Sequence, residues 1–188
     1  IEITDTLQDN TTYVLNFGQS VVDNTEGNPY PFFKYVFSTG TYIDSLKIQG
    51  RVTDALTFKT DDFVNVMLYE VNENYTDSTI YKEQPRYVVN TLDSLTTFTM
   101  ENLKAGQYRM VALKEKSSNL KFDPKSDKIG FVSEVITVPT EEVFEVKLYE
   151  PEQDKDVRRA SQVAASRIQI GYEGNLDSMK ISPVDKSL

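Results

Sequence analysis

Three pairs of neighbouring carboxylates, Asp61-Asp62, Glu141-Glu142 and Asp154 with Asp156, are the residues whose type and spacing come closest to acid–base chemistry. Two carboxyl groups facing each other across a cleft can divide the general-acid and general-base roles of glycoside hydrolysis. Each pair falls beside a turn or linker, however, where solvated acids are the ordinary content of a protein surface. The 188-residue chain contains no His and no Cys. That removes the commonest general base, thiol nucleophiles, disulfides, and the usual protein ligands of zinc and haem iron. No nucleophile motif is present either. The expectation is a chain that is not an enzyme, with no catalytic residue and no cofactor.

Two further groupings invite chemistry. The loop from Lys114 to Asp127 carries Glu115, Asn119, Asp123 and Asp127, hard oxygen donors of the kind calcium takes. Lys114, Lys116 and Lys121 interrupt them, so a long solvated loop without a metal is expected. Aromatic clusters at Asn28-Pro-Tyr-Pro-Phe-Phe33 and at Tyr75, Tyr81 and Tyr87 could form sugar-stacking platforms. Alternation turns many of these rings inward, which favours core packing for them.

The elements that must position these residues read as strands. Leu46, Ile48 and Val52 alternate with Lys47, Gln49, Arg51 and Thr53; Val64, Val66 and Leu68 alternate with Asn65, Met67 and Tyr69. Tyr13, Leu15 and Phe17, and Phe144, Val146 and Leu148, make similar rows. Asp, Asn, Gly, Pro and Ser clusters separate the rows, as turns require. The aromatic share of 11%, from 11 Tyr and 10 Phe without Trp, also favours strands. The best helical candidate, Asp154 to Ser166, has only a thin apolar stripe and predicts a short helix or an irregular linker. The fold class expected is all-β. Residues 1–44 read as the end of one unit, 45–150 as a complete β-sandwich, and 151–188 as a linker and the start of a further β segment. No apolar run approaches the ~20 residues that span a bilayer as a helix.

With 20 basic against 29 acidic residues the net charge is −9. Nucleic acid and anionic membrane surfaces repel such a chain, so neither is expected as a partner. An unidentified protein or glycan is. The chain opens Ile1-Glu-Ile-Thr without an initiator Met or a signal peptide, so either a segment was cleaved or this is an internal piece, and both readings leave targeting unobserved.

The run Phe98 to Leu113 reads as strand, tight turn, strand. Within it Leu103, Gly106 and Tyr108 have the spacing of a sandwich corner, in which the tyrosine ring covers the core and its hydroxyl returns to nearby backbone. Gly106 is expected to take a positive φ in the turn. Gly50 and Ala55 are expected to keep a region small where neighbouring backbone passes.

Longer patterns carry a resemblance. Leu7-x-x-Asn-Thr-Thr-Tyr13, Val22-Asp-Asn-Thr-Glu-Gly-Asn-Pro29 and Tyr35-Val-Phe-Ser-Thr-Gly40 resemble the C-terminal half of a bacterial Ig-like domain. Ile48-Gln-Gly-Arg-Val-Thr-Asp-Ala55, Val64-Asn-Val-Met-Leu-Tyr69 and Asn102-Leu-Lys-Ala-Gly-Gln-Tyr108 resemble the transthyretin-like sandwich of carboxypeptidase regulatory and collagen-adhesin B-type repeats. The combination is similar to lipoproteins of the Bacteroidetes cell envelope. The resemblance implies an extracytoplasmic, non-catalytic β-module that scaffolds or binds, or alternatively a carbohydrate-binding module of a surface glycan system, with membrane attachment only through a lipid anchor upstream of Ile1. It also implies O-glycosylation where Asp-Ser/Thr precedes a small or aliphatic residue. Thr6, Ser45, Ser78, Ser94 and Ser178 sit in such triplets, where composition alone predicts about one.

Overall fold

The computed structural model describes residues 3–4, 6–18, 20–30, 33–59, 61–91, 95–152 and 156–173. The chain is all-β, with a single one-turn helix among the described residues. Its centre is a sandwich of two sheets. In the first sheet β10 (Val143–Leu148) lies parallel to β3 (Leu46–Asp54), and β6 (Thr97–Leu103) runs antiparallel on the other side of β3. In the second the order is β5 (Tyr87–Asn90), β4 (Asn65–Glu70), β7 (Gly106–Lys114) and β8 (Lys128–Phe131). The short β9 (Ile136–Val138) also pairs with β7.

Alternation dictates what lies between the sheets. Ile48 and Val52 of β3, Phe98 and Met100 of β6, and Val146 and Leu148 of β10 meet Val66 and Leu68 of β4 and Met110 and Ala112 of β7. Full burial of each larger side chain contributes about 1.5–3 kcal/mol, which conformational entropy largely offsets. Gly50, at the middle of β3, makes room for the aromatic residues on both neighbouring strands. A Cβ there would sit 2.7 Å from the Phe98 ring and collide with the Phe144 carbonyl.

On one side the two sheets are joined by backbone. Ile129 and Tyr149 exchange N–H···O bonds of 3.0 and 2.9 Å, bridging β8 to the end of β10. Gly130 permits that approach, because a Cβ would meet the Lys147 backbone. Ala55 N–H bonds Leu148 C=O at 2.7 Å, so neighbouring backbone does pass the end of β3. On the other side of the sandwich the edge strands β5 and β6 have no such bridge among the described residues.

The second sheet is buried on both faces. Met67, Tyr69, Val111, Leu113, Phe122 and Ile129 form a second apolar cluster on its outer face. Helix α1 (Thr79–Lys82) and the loop before β8 cover it with Ile80 and Leu120, and Phe122 N–H bonds Ile80 C=O at 3.0 Å. Burial pushes the Tyr69 phenol up to about 12.

The corner is built differently from the sequence expectation. Tyr108 is 2% exposed and its hydroxyl donates to Lys104 C=O at 2.9 Å. Positive φ, however, belongs to Asn102 (60°) and not to Gly106, which opens β7 opposite Val138. Asn102 sits where β6 carries one extra residue against β3, and a bulge of this kind uses a left-handed residue. Its side chain donates to Asp44 C=O at 2.9 Å, a carbonyl distant in sequence that fixes this conformation. Gly106 serves a steric purpose instead. A Cβ on it would stand 3.2 Å from the Tyr108 hydroxyl.

Two ribbons flank the sandwich. At the N-terminal side β1 (Thr12–Asn16) pairs antiparallel with β2 (Lys34–Ser38). A turn inside their connection is held by Asp23, whose carboxylate accepts from the N–H groups of Glu26 (2.6 Å), Thr25 (2.8 Å) and Asn28 (2.9 Å). These amides keep its carboxyl below the usual range, and Gly27 supplies the positive φ of 73°. At the C-terminal side β12 (Ser161–Ala164) pairs with β13 (Arg167–Gln169), and β11 (Asp156–Val157) with β14 (Tyr172–Glu173). The expectation of a helix or irregular linker over Asp154–Ser166, of which 154 and 155 lie outside the described residues, is corrected by the ribbon strand β12. With every side chain from 157 to 169 exposed, no face exists for a helix to bury, and the chain closes on itself as a ribbon.

Candidate functional site

None of the carboxylate pairs assembles into two acids facing across a cleft among the described residues. Asp61 binds Lys128 Nζ through both oxygens, at 3.1 and 3.2 Å, while its neighbour Asp62 is exposed. Glu141 and Glu142 lie exposed in the turn before β10. Asp154 lies outside the described residues, and Asp156 opens β11.

Lys128 also donates to Asp54 Oδ2 at 2.8 Å. The other oxygen of Asp54 accepts from Thr57 N–H (2.8 Å), Leu56 N–H (3.0 Å) and Thr57 Oγ1 (2.9 Å). The Lys128 bond, followed by these loop donors, holds the Asp54 carboxyl well below the usual carboxylate range. The Asp54 bond likewise raises the Lys128 amine. Both groups are thus locked in their charged forms, the opposite of what an amine nucleophile or a general acid needs. Their effect is structural: they pin the turn after β3, whose tip displays Leu56 and Phe58 at 87% and 72% exposure.

In the loop before β8 the oxygen donors are already occupied. Glu115 Oε2 accepts from the N–H groups of Asn119 (2.7 Å) and Leu120 (2.9 Å), and its Oε1 from Asn65 Nδ2 (2.8 Å). The buried Asp127 accepts from Asp123 N–H (2.9 Å), Lys116 N–H (3.2 Å) and Ser126 Oγ (2.7 Å). Carboxylates that organise their own loop have few lone pairs left for a cation.

The aromatic clusters separate. Tyr87 and Tyr108 form a T-shaped pair at 5.7 Å, Tyr81 packs on Phe122 at 5.4 Å, and Tyr75 borders the second cluster. Those rings pack against the sandwich, with Tyr81 still 45% exposed. Tyr30 and Phe33 do not: they are 64% and 38% exposed, contrary to the inward placement expected for their cluster. They continue a row of rings along the ribbon. Phe33 meets Phe17 at 5.3 Å, Tyr35 meets Phe37 at 5.9 Å, and Phe37 stacks on Tyr13 at 5.5 Å. A two-stranded ribbon has only one neighbour per strand, so these rings find no opposite layer to bury them.

Between ribbon and sandwich lies a cleft of about 610 Å³, with β1 on one side and the edges of β5 and β6 on the other. A space of about 640 Å³ continues it toward Phe63 and Leu95. The ribbon is tethered across it by Lys34 and Glu101 (3.6 Å) and by Thr12 Oγ1 to Asp44 Oδ2 (2.8 Å). Asn90 Nδ2 donates to Asn65 Oδ1 at 2.7 Å, and Asn65 passes the chain on to Glu115. The cleft is hard to anticipate from sequence, because each wall reads locally as an ordinary strand. The one available signal was the absence of Lys and Pro from Tyr87–Asn90 and from Thr97–Met100.

Of the glycosylation triplets, Thr6, Ser45 and Ser78 are exposed; Ser78 Oγ lies 2.9 Å from Thr76 Oγ1 just before α1. Ser94 and Ser178 lie outside the described residues. No family model matches the chain, and comparison with curated proteins and with solved structures likewise returns no match.

Proposed function

We propose that this chain is a non-catalytic β-module of a bacterial cell-envelope protein that works as a scaffold and protein-interaction module. The observation that carries the reading is the aromatic row of the N-terminal ribbon, in which Tyr30, Phe33 and Tyr35 are exposed and Tyr13 and Phe37 half-buried, set beside an open cleft. Rings of this size dominate interface energetics and are costly to leave in water without a partner. The occupied state of Asp54, Asp61, Glu115 and Asp127 supports recognition over chemistry. The exposure of Thr6, Ser45 and Ser78 suits surface modification in an extracytoplasmic compartment, with attachment to the membrane through an upstream lipid anchor.

A photo-crosslinking residue in place of Tyr35, introduced in the native host, tests it. Discrete protein adducts are expected on irradiation. The second reading, carbohydrate binding, draws on Tyr30 and Tyr35, which are 64% and 56% exposed and able to stack on sugar faces. Retention on a glycan affinity gel that is lost in Tyr30→Ala and Tyr35→Ala, without protein adducts, would favour that reading instead.

A further inference from the structure

The open side of the sandwich is defined by backbone geometry. Val52 N–H bonds Thr96 C=O at 2.7 Å, so on β6 the even-numbered residues up to Met100 face β3. In an antiparallel ladder the bonded pairs alternate, and Thr97 and Thr99 therefore turn their N–H and C=O groups away from the sheet. By the same alternation Thr91 N–H, bonded to Val64 C=O at 2.8 Å, leaves Val88 and Asn90 of β5 facing outward. Phe17 N–H on Phe33 C=O (3.0 Å) and Thr39 N–H on Thr11 C=O (3.1 Å) leave Val14 and Asn16 of β1 facing outward. All six residues line the cleft or its continuation.

We propose that the cleft receives an extended polypeptide strand from a partner protein, which pairs with the open edge of β6 and is walled on its far side by β1. This rests on the interaction-module reading above and gives the partner its chemistry. Backbone donors and acceptors repeating at strand spacing are matched by another backbone and by no glycan or lipid headgroup. The walls suit a close approach: Thr97, Thr99, Val14 and Val88 are short and β-branched. A five-residue strand runs about 17 Å, the length of β1 itself. Lys34 and Glu101 compensate each other, so neither charge sign is excluded. The edge also lacks the usual defences. The only bulge on β6 lies at its far end by Asn102, and no Lys or Pro guards Thr97–Met100 or Tyr87–Asn90.

Amide exchange followed by NMR on the whole chain tests this. In the free protein the amides of Thr97, Thr99, Val88, Asn90, Val14 and Asn16 exchange fast while Phe98 and Met100 are protected. A synthetic heptapeptide alternating Thr and Val then shifts and protects Thr97 and Thr99. The same peptide N-methylated at alternate residues binds at least tenfold more weakly. Thr99→Pro removes one outward N–H while leaving the bonds to β3, and abolishes peptide binding at an unchanged urea midpoint. Should that variant misfold, the N-methylated peptide decides alone. Protected edge amides in the free chain, no binding at millimolar peptide, or equal binding by the methylated peptide would overturn the inference. Crosslinks from Tyr35 alongside such a failure would leave the interaction reading standing and remove only the strand.

Discussion

Tyr108→Phe isolates a single hydrogen bond. The hydroxyl reaches Lys104 C=O at 2.9 Å, and Tyr87 holds the same residue from its other side by accepting Lys104 N–H at 3.2 Å. The substitution keeps the ring, its T-shaped contact with Tyr87 and the space above Gly106, so no cavity term enters. A neutral intramolecular hydrogen bond contributes about 0.5–1.5 kcal/mol net. Lys104 is exposed, so water can replace the lost donor at the carbonyl, and the upper penalty for a stranded buried group does not apply. The expected loss is about 1 kcal/mol. For a chain of this size that lowers Tm by roughly 2–4 °C, and it moves the urea midpoint without changing the slope m. An unchanged midpoint would refute the corner as a stabilising bond. A loss above about 3 kcal/mol would refute it too, since only disturbed packing costs that much. Burial raises the Tyr108 phenol well above its ordinary range. The folded state therefore holds this proton more tightly, and the bond's stabilisation erodes as pH climbs past about 10, the unfolded value.

The Asp54–Lys128 pair predicts acid sensitivity. The folded-state Asp54 carboxyl lies below its unfolded value, so its contribution is complete above the unfolded pKa of about 4 and falls as pH drops below it. Urea midpoints at pH 7, 5 and 3 should decline less steeply in Asp54→Asn than in the parent; equal slopes would contradict the pairing. Lys128→Ala should cost about 1–2 kcal/mol at pH 7, a figure discounted for the partial exposure of Lys128. Gly50→Ala should cost about 3 kcal/mol, because the new methyl meets the Phe144 carbonyl and the Phe98 ring. Gly171→Ala should cost less than Gly50→Ala, since its nearest neighbours are Arg158 side-chain atoms at 3.2 Å and beyond and no backbone carbonyl stands in the way. Comparable losses at both glycines, measured by thermal melts, would count against that assignment.

The strands of the sandwich were legible because period-2 alternation at Leu46–Val52 and Phe144–Leu148 maps directly onto one buried face. Tyr108 was legible for a related reason: its partner lies only four residues away. What escaped were consequences of contacts remote in sequence. Met67 and Tyr69 read only as the face of β4 opposite Val66 and Leu68, and nothing local shows that α1 and the loop before β8 fold over them. Positive φ was assigned to Gly106 on residue type, whereas register against β3 set the bulge at Asn102, whose amide bonds a carbonyl distant in sequence. The Lys128 bridge joins residues 74 and 67 positions apart. The cleft exists only once β1, β5 and β6 stand together, and no local pattern announces that.

The central proposal is recognition at the aromatic ribbon and the open strand edges. The most direct measurement is photo-crosslinking in the native host from Tyr35 on the ribbon and, as a comparison, from Val163 on the exposed C-terminal ribbon. Discrete protein adducts from Tyr35 and none from Val163 are predicted. Equal labelling from both positions, or no protein adduct from Tyr35, would contradict the claim.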